Sequence, residues 1–223
     1  MTKPEVRARV GEIGIIPAIR VASALDARFA AETLHQAGIP IAEITLTIPG
    51  AIELIGELVR EFPDMVVGAG TVLDADHAQR CIDAGAMFLT STGLDLGVVE
   101  VAVKSGILVL PGALTPTEII TAWKAGADLV KVFPCSQLGG EHYIRAMKVA
   151  LPQINLVAAG GVRQHTLAHY IHAGASAVGV GKDLLPNEAI HKRNVTWLQE
   201  LAHRFVALVR HAREGGESVV TFK

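Results

Sequence analysis

Short apolar runs alternate with amphipathic segments along most of this chain. The runs fall at 14–19, 41–46, 65–69, 87–91, 107–110, 128–132, 155–158 and 177–180. Most are continuous rather than alternating, as expected of parallel strands covered on both faces. Helical segments separate them, and several close on a small residue followed by glycine: Gly38, Gly85, Gly106, Gly126 and Gly174. Glycine just past a helix end takes the left-handed cap conformation at little cost. Pro63 and Pro152 mark two further helix ends, and T-P-T-E at 115–118 is a helix start, with Thr115 as N-cap, Pro116 in the first turn and Glu118 closing a capping box. The repeat unit is about 20–25 residues, enough for one strand, one helix and two short loops.

Eight such units predict an α/β fold, a (β/α)8 barrel, with an open doubly wound sheet as the rival. The expected organisation is a single domain over residues 1–223, with the barrel at about 12–186, an N-terminal helical extension and a C-terminal helix at about 194–213. That helix carries Trp197, Leu201, Phe205 and Leu208 at helical spacing, an apolar face for the barrel or a neighbouring subunit. From Glu214 onward, through Gly215 and Gly216, the tail reads as loosely held.

Composition narrows the functional classes. The 223 residues are 50% hydrophobic with a formal net charge of -2, which gives no electrostatic case for nucleic acid. No apolar stretch is long enough to span a membrane, and the charged first ten residues lack the apolar core of a signal peptide. The two cysteines, Cys81 and Cys135, form no C-x-x-C and suit a reducing cytosol, so a cytoplasmic location and ordinary buried thiols are expected.

In such barrels chemistry sits at the C-terminal ends of the strands. The run D-L-V-K-V-F-P at 128–134 places Lys131 inside a buried strand, on one face with Leu129 and Phe133. An exposed lysine is neutral only about one time in a thousand at pH 7, but loss of water favours the neutral, nucleophilic amine. The plainer reading is a lysine paired with a carboxylate. Glu43 interrupts another apolar run; with Ile44 and Leu46 facing the helices, Glu43 and Thr45 face the interior, where a carboxyl group can shuttle protons or simply form an ion pair, with Lys131 as one candidate partner. Strand one ends in Arg20, able to grip a carboxylate or phosphate in two bonds. Strand three ends in G-A-G-T, bringing backbone N–H groups and the Thr71 hydroxyl to the mouth. The last two strands end in Gly160-Gly161 and Gly181-Lys182, the usual position of a phosphate cradle. His165, His169 and His172 share one helix face, but that helix lies outside the barrel and lacks a zinc-binding H-E-x-x-H pattern, so no metal and no cofactor are expected.

These motifs in combination carry a resemblance. I-A-E-I-T-L-T at 41–47, V-G-A-G-T-V at 67–72, P-G-A-L-T-P at 111–116, V-K-V-F-P at 130–134 and G-G-V at 160–162 occur in the order found in bacterial 2-dehydro-3-deoxy-phosphogluconate aldolases, a family that overlaps with 4-hydroxy-2-oxoglutarate aldolases. The stretch 133–148 also resembles the 6-phosphogalactonate branch. The resemblance covers about residues 14–186. It implies a class I aldolase, a cytosolic homotrimer, that releases pyruvate and glyceraldehyde 3-phosphate from a keto-deoxy sugar acid phosphate, with 4-hydroxy-2-oxoglutarate as a further substrate. It implies Lys131 as the Schiff-base lysine, Glu43 as the proton shuttle and Thr71, with Arg20, on the substrate carboxylate. Three departures bear on specificity. Thr47 stands where many members have arginine, Thr92 where they have proline, and Ala159 where a threonine hydroxyl can read the sugar. A metal-independent sugar-phosphate isomerase or epimerase, or a non-catalytic sugar-phosphate binding barrel, are the alternatives; neither needs a desolvated Lys131.

Overall fold

The computed structural model describes residues 1–215 of the chain. Helix α1 (Lys3–Ile13) leads into β1 (Ile15–Ile19), α2 (Ala24–Gln36), β2 (Ile41–Thr45), α3 (Ala51–Glu61), β3 (Val66–Gly70) and α4 (Ala75–Asp83). Next come β4 (Phe88–Thr90), α5 (Leu96–Lys104), β5 (Leu108–Leu110), β6 (Gly112–Ala113), α6 (Pro116–Lys124) and β7 (Val130–Val132). A 3-10 turn (Cys135–Leu138), α7 (Glu141–Ala150), β8 (Leu156–Ala159), α8 (Gln164–His172), β9 (Ala177–Val180), α9 (Asn187–His191) and α10 (Val195–Arg213) complete the array. The expected loose tail falls mostly on residues 216–223, outside the described ones.

All strand pairs are parallel, in the order β5-β4-β3-β2-β1-β9-β8-β7-β6. The two outermost segments, β5 and β6, are separated in sequence only by Pro111, so the ends of the sheet meet and the barrel is nearly closed. The open doubly wound alternative is thereby excluded. The sequence predicts eight strands and the described residues form nine segments, because the fifth strand breaks at Pro111. Proline has no N–H to give to a ladder. Before it the chain pairs with β4; after it, with β7. The Pro111 carbonyl itself accepts the Lys131 N–H at 2.9 Å.

The predicted punctuation holds. Gly38, Gly85, Gly106, Gly126 and Gly174 all have positive φ, between 68° and 101°. The capping box forms as read: Glu118 accepts the Thr115 N–H at 2.8 Å, and Thr115 Oγ1 accepts the Glu118 N–H at 3.3 Å.

Strand alternation sorts the apolar residues into two clusters. Ala42, Ile44, Val130 and Val132 face outward and pack with the helices. Ile16, Ile41, Val66, Phe88, Leu108 and Leu129 face inward, and there Val6 and Val10 of α1 join them. Helix α1 thus stoppers the N-terminal end of the barrel, tied to it by Lys3 and Asp128 at 2.9 Å. The amphipathic face of α10 buries Leu198, Leu201, Phe205 and Leu208 and packs on α2 and α8, so the barrel itself covers it. Trp197 is only partly buried. At its end, Arg213 donates to the carbonyls of Glu12 and Gly11 at 2.5 and 2.6 Å. No helix among the described residues is long and apolar enough to cross a membrane. Cys81 and Cys135 are buried and unpaired with each other; loss of water pushes their thiols up to about 11 and about 12, which keeps them protonated and inert.

Candidate active site

One strand face shows how the sequence builds the site. On β7 and its flanks the inward residues are, from the stoppered end upward, Leu129, Lys131 and Phe133. Leu129 belongs to the sealed apolar interior. Lys131, two residues on, reaches the floor of a cavity of about 460 Å³ at the C-terminal end. Its side chain is 8% exposed, and that of Glu43, its neighbour from β2, 2%. Lys131 Nζ lies 3.4 Å from Glu43 Oε1 and 3.2 Å from Thr90 Oγ1, with the Phe133 ring centroid at 5.7 Å.

Glu43 occupies its position because β3 makes room. Thr45 is paired with Gly70 across the β2–β3 ladder, and a Cβ at Gly70 would run into the Glu43 carboxylate. Thr45, also inward, is turned to the backbone: its hydroxyl donates to the Ile19 carbonyl at 2.9 Å and shares a bond with Thr47 at the same distance. The lysine and carboxylate anticipated on separate strands therefore meet, as both the chemical and the ion-pair readings require. A neutral amine there is a nucleophile with a proton acceptor and a hydroxyl beside it.

The upper wall comes from the strand ends predicted to supply it. Arg20, Ala159, Gly160, Gly161, Gly181 and Lys182 all line the cavity. Gly160 and Gly161 have φ of 84° and 83°, and each lies too close to its neighbours, Pro134 and Ser136 respectively, to carry a side chain. Thr71 stands one bond behind the wall: Arg20 Nη2 donates to its Oγ1 at 3.2 Å. Its φ is 59°, a conformation that a β-branched residue rarely adopts. The other two anticipated specificity positions are not brought to the cavity. Thr47 is exposed and bonded to Thr45, and Thr92 packs its backbone against Gly112, off the wall.

Sequence reasoning missed three residues. Thr90 ends the run F-L-T of β4 on the same face as inward Phe88, so alternation alone marks it. Arg163 and Asp183, both on the wall, follow β8 and β9, and Asp183 Oδ2 accepts the Gln164 N–H at 2.8 Å. Nothing local in the sequence announces that pairing.

The histidines of α8 stay outside the site: His165, His169 and His172 are exposed, and His172 binds the Ala212 carbonyl of α10 at 3.0 Å. Among the described residues, the one acidic and histidine cluster close enough to hold an ion is Asp74, Asp76 and His77, exposed and away from the cavity. Its geometry is explained by capping, since Asp74 accepts the His77 N–H at 2.8 Å at the start of α4; that bond and the His77 ring hold the Asp74 carboxyl below its ordinary range.

Comparison with known proteins returns consistent matches. A family model described as KDPG and KHG aldolase matches residues 6–201. The chain is 37% identical over 151 residues to a 2-dehydro-3-deoxy-6-phosphogalactonate aldolase of Escherichia coli, covering 67% of this chain and 73% of that one. It is 31% identical over 198 residues to a 2-dehydro-3-deoxy-phosphogluconate aldolase of Treponema pallidum, covering 88% and 94%. A crystal structure of KDPG aldolase from Legionella pneumophila, with pyruvate captured at low pH as a covalent carbinolamine intermediate, superposes with a TM-score of 0.83 at 30% identity, covering 89% of this chain and 96% of that one.

Proposed function

The chain belongs to the KDPG and KHG aldolase family and is a carbon–carbon lyase, and from that premise we propose that it cleaves a 2-keto-3-deoxy-6-phospho sugar acid through a Schiff base on Lys131. The single observation that carries this reading is the buried Lys131 amine at 3.4 Å from Glu43 and 3.2 Å from Thr90, on the floor of an open cavity. Neutral Lys131 attacks the C2 ketone and water leaves, giving a protonated imine that accepts electrons from the breaking C3–C4 bond. Glu43 takes the C4 hydroxyl proton, and glyceraldehyde 3-phosphate departs. Glu43 returns a proton to the enamine at C3, and hydrolysis releases pyruvate and the free lysine.

Arg20 and Thr71 hold the substrate carboxylate, and Gly160, Gly161, Gly181 and Lys182 hold the phosphate. Both the gluconate and the galactonate epimers are substrates in this reading, in keeping with similarity to both kinds of relative. 4-Hydroxy-2-oxoglutarate, which would yield pyruvate and glyoxylate, is a further candidate suggested by the family description. A cytosolic homotrimer is the assembly we infer from the family resemblance, and sedimentation of the purified protein tests it.

The deciding experiment is reduction with borohydride in the presence of pyruvate, followed by peptide mass analysis. The expected result is a pyruvate adduct on Lys131. An adduct on another lysine, such as Lys182, or none at all would overturn the Schiff-base assignment.

A further inference from the structure

The upper cavity wall carries a charge pattern that bond cleavage does not use. Lys131 and Glu43 offset one another on the floor. Above them stand Arg20, Arg163 and Lys182, and none of the three forms a salt bridge with another described residue. Some cations elsewhere are engaged, Arg28 by Glu57 and Glu61, Arg193 by Asp26 and Lys192 by Glu188, and others such as Arg145 and Lys124 are not, so what sets these three apart is their convergence on one cavity wall. Two of the unpaired cations, Arg163 and Lys182, project from the neighbouring loops that follow β8 and β9.

The first turn of α8 explains why those charges are needed. A helix start ordinarily attracts anions through its free N–H groups and its dipole. Here two of the N–H groups at this start, those of Arg163 and Gln164, are already occupied. Thr166 Oγ1 accepts the Arg163 N–H at 3.0 Å, and Asp183 accepts the Gln164 N–H at 2.8 Å. A carboxylate thus already sits at the positive end of the helix, on the wall of the same cavity. A phosphate monoester carries roughly −1.5 to −2 charges at pH 7. It would be repelled by Asp183 unless side-chain cations outweigh it.

We propose that Arg163 is a specificity-determining residue, whose guanidinium joins Lys182 in clamping the terminal phosphate and thereby selects phosphorylated over unphosphorylated keto-deoxy acids. A guanidinium matches two phosphate oxygens at once, whereas Lys182 acts as a point charge. The inference rests on the phosphosugar reading above and adds to it the residue that enforces the choice.

The test is the ratio of kcat/KM for the 6-phosphorylated keto-deoxy acid to that for its unphosphorylated counterpart, in wild type, Arg163→Ala and Arg163→Lys. Loss of a charge-assisted contact lowers that ratio by about 10- to 100-fold in Arg163→Ala, mainly through KM for the phosphorylated compound. Arg163→Lys recovers part of it. Inorganic phosphate, used as a competitive probe, should bind the alanine variant more weakly by a similar factor. An unchanged ratio, or an equal fall on both substrates, overturns the assignment and leaves Arg163 a solvated or structural residue. A wild-type ratio near one would overturn the phosphosugar reading itself, a distinct outcome.

Discussion

The two ends of the barrel interior are built from the same strands and do opposite work. At the N-terminal end Val6, Val10, Ile41, Val66, Phe88 and Leu129 fill the space, and α1 seals it. At the C-terminal end the same inward faces carry Glu43, Thr90 and Lys131 around open space. On β2 only one residue separates Ile41 from Glu43, and on β7 one separates Leu129 from Lys131. Depth along a strand therefore decides whether an inward residue fills the core or lines the cavity. The sealed half adds a buried apolar cluster to the larger one between strands and helices, whereas the polar half lines open space.

The sharpest way to break the comparison is to truncate the two inward residues of one strand in turn. Lys131→Ala is expected to abolish aldol cleavage while circular dichroism and melting remain close to native; near-native turnover would end the nucleophile assignment. Glu43→Gln comes next. It should still form the pyruvate imine but lose roughly 10²–10⁴-fold in turnover, the usual weight of a general acid–base group. Undiminished proton exchange at the pyruvate methyl would remove Glu43 from that role. Leu129→Ala inverts the pattern: a cost of about 2–5 kcal/mol in unfolding free energy, with kcat of the folded fraction retained. If it instead spared stability and lowered kcat, the division by depth would be wrong.

Smaller changes sharpen the same boundary. Thr90→Val keeps the shape and deletes the hydroxyl beside Lys131. The Lys131 nitrogen becomes cationic only as it attacks the ketone, and a hydrogen bond accepted from a charged group is worth about 1.5–3 kcal/mol, so imine formation with pyruvate should slow by about tenfold or more, and Thr90→Ser should restore most of it. The least effect is expected at Ala159, on the cavity wall opposite side-chain-free Gly179 in the β8–β9 register. One added hydrogen bond is worth about 0.5–1.5 kcal/mol, roughly a 2- to 13-fold preference. Wild type should therefore cleave the gluconate and galactonate phosphates almost equally, and Ala159→Thr should shift kcat/KM toward the gluconate isomer. A strong wild-type preference that the substitution leaves alone would locate stereochemical choice elsewhere.

Most of the sealed half was legible in the sequence, because local rules write it. Buried parallel strands must be continuously apolar, and helix ends need glycine, so the apolar runs and Gly38, Gly85, Gly106, Gly126 and Gly174 placed the strands and helices in order. Within the reactive half, Lys131 and Glu43 could be read from their polarity inside apolar runs, and alternation gave their common direction. Their separation of 3.4 Å, across 88 positions of sequence, is a matter of barrel register and could not. The same holds for Asp183 reaching Gln164, and for Thr47, which turns to Thr45 rather than to the cavity. The break at Pro111 was visible as a residue but not as an event, since a lone proline at a strand end has the same local signature whether the strand stops or changes partners.

The left-handed backbone of Thr71 has a consequence for how quickly the mouth can be ready. A β-branched residue at φ 59° is held against its own preference, at a cost on the order of 1–3 kcal/mol that only the surrounding fold can sustain. That cost is met during folding, and it leaves the hydroxyl fixed against Arg20 at 3.2 Å before anything arrives. If Arg20 and Thr71 receive the substrate carboxylate as proposed, it meets donors already aligned, so less ordering remains to oppose its capture. Thr71→Gly would relax the chain and raise the melting temperature while weakening pyruvate binding, which makes this position one where steadiness of the fold and readiness of the site pull in opposite directions.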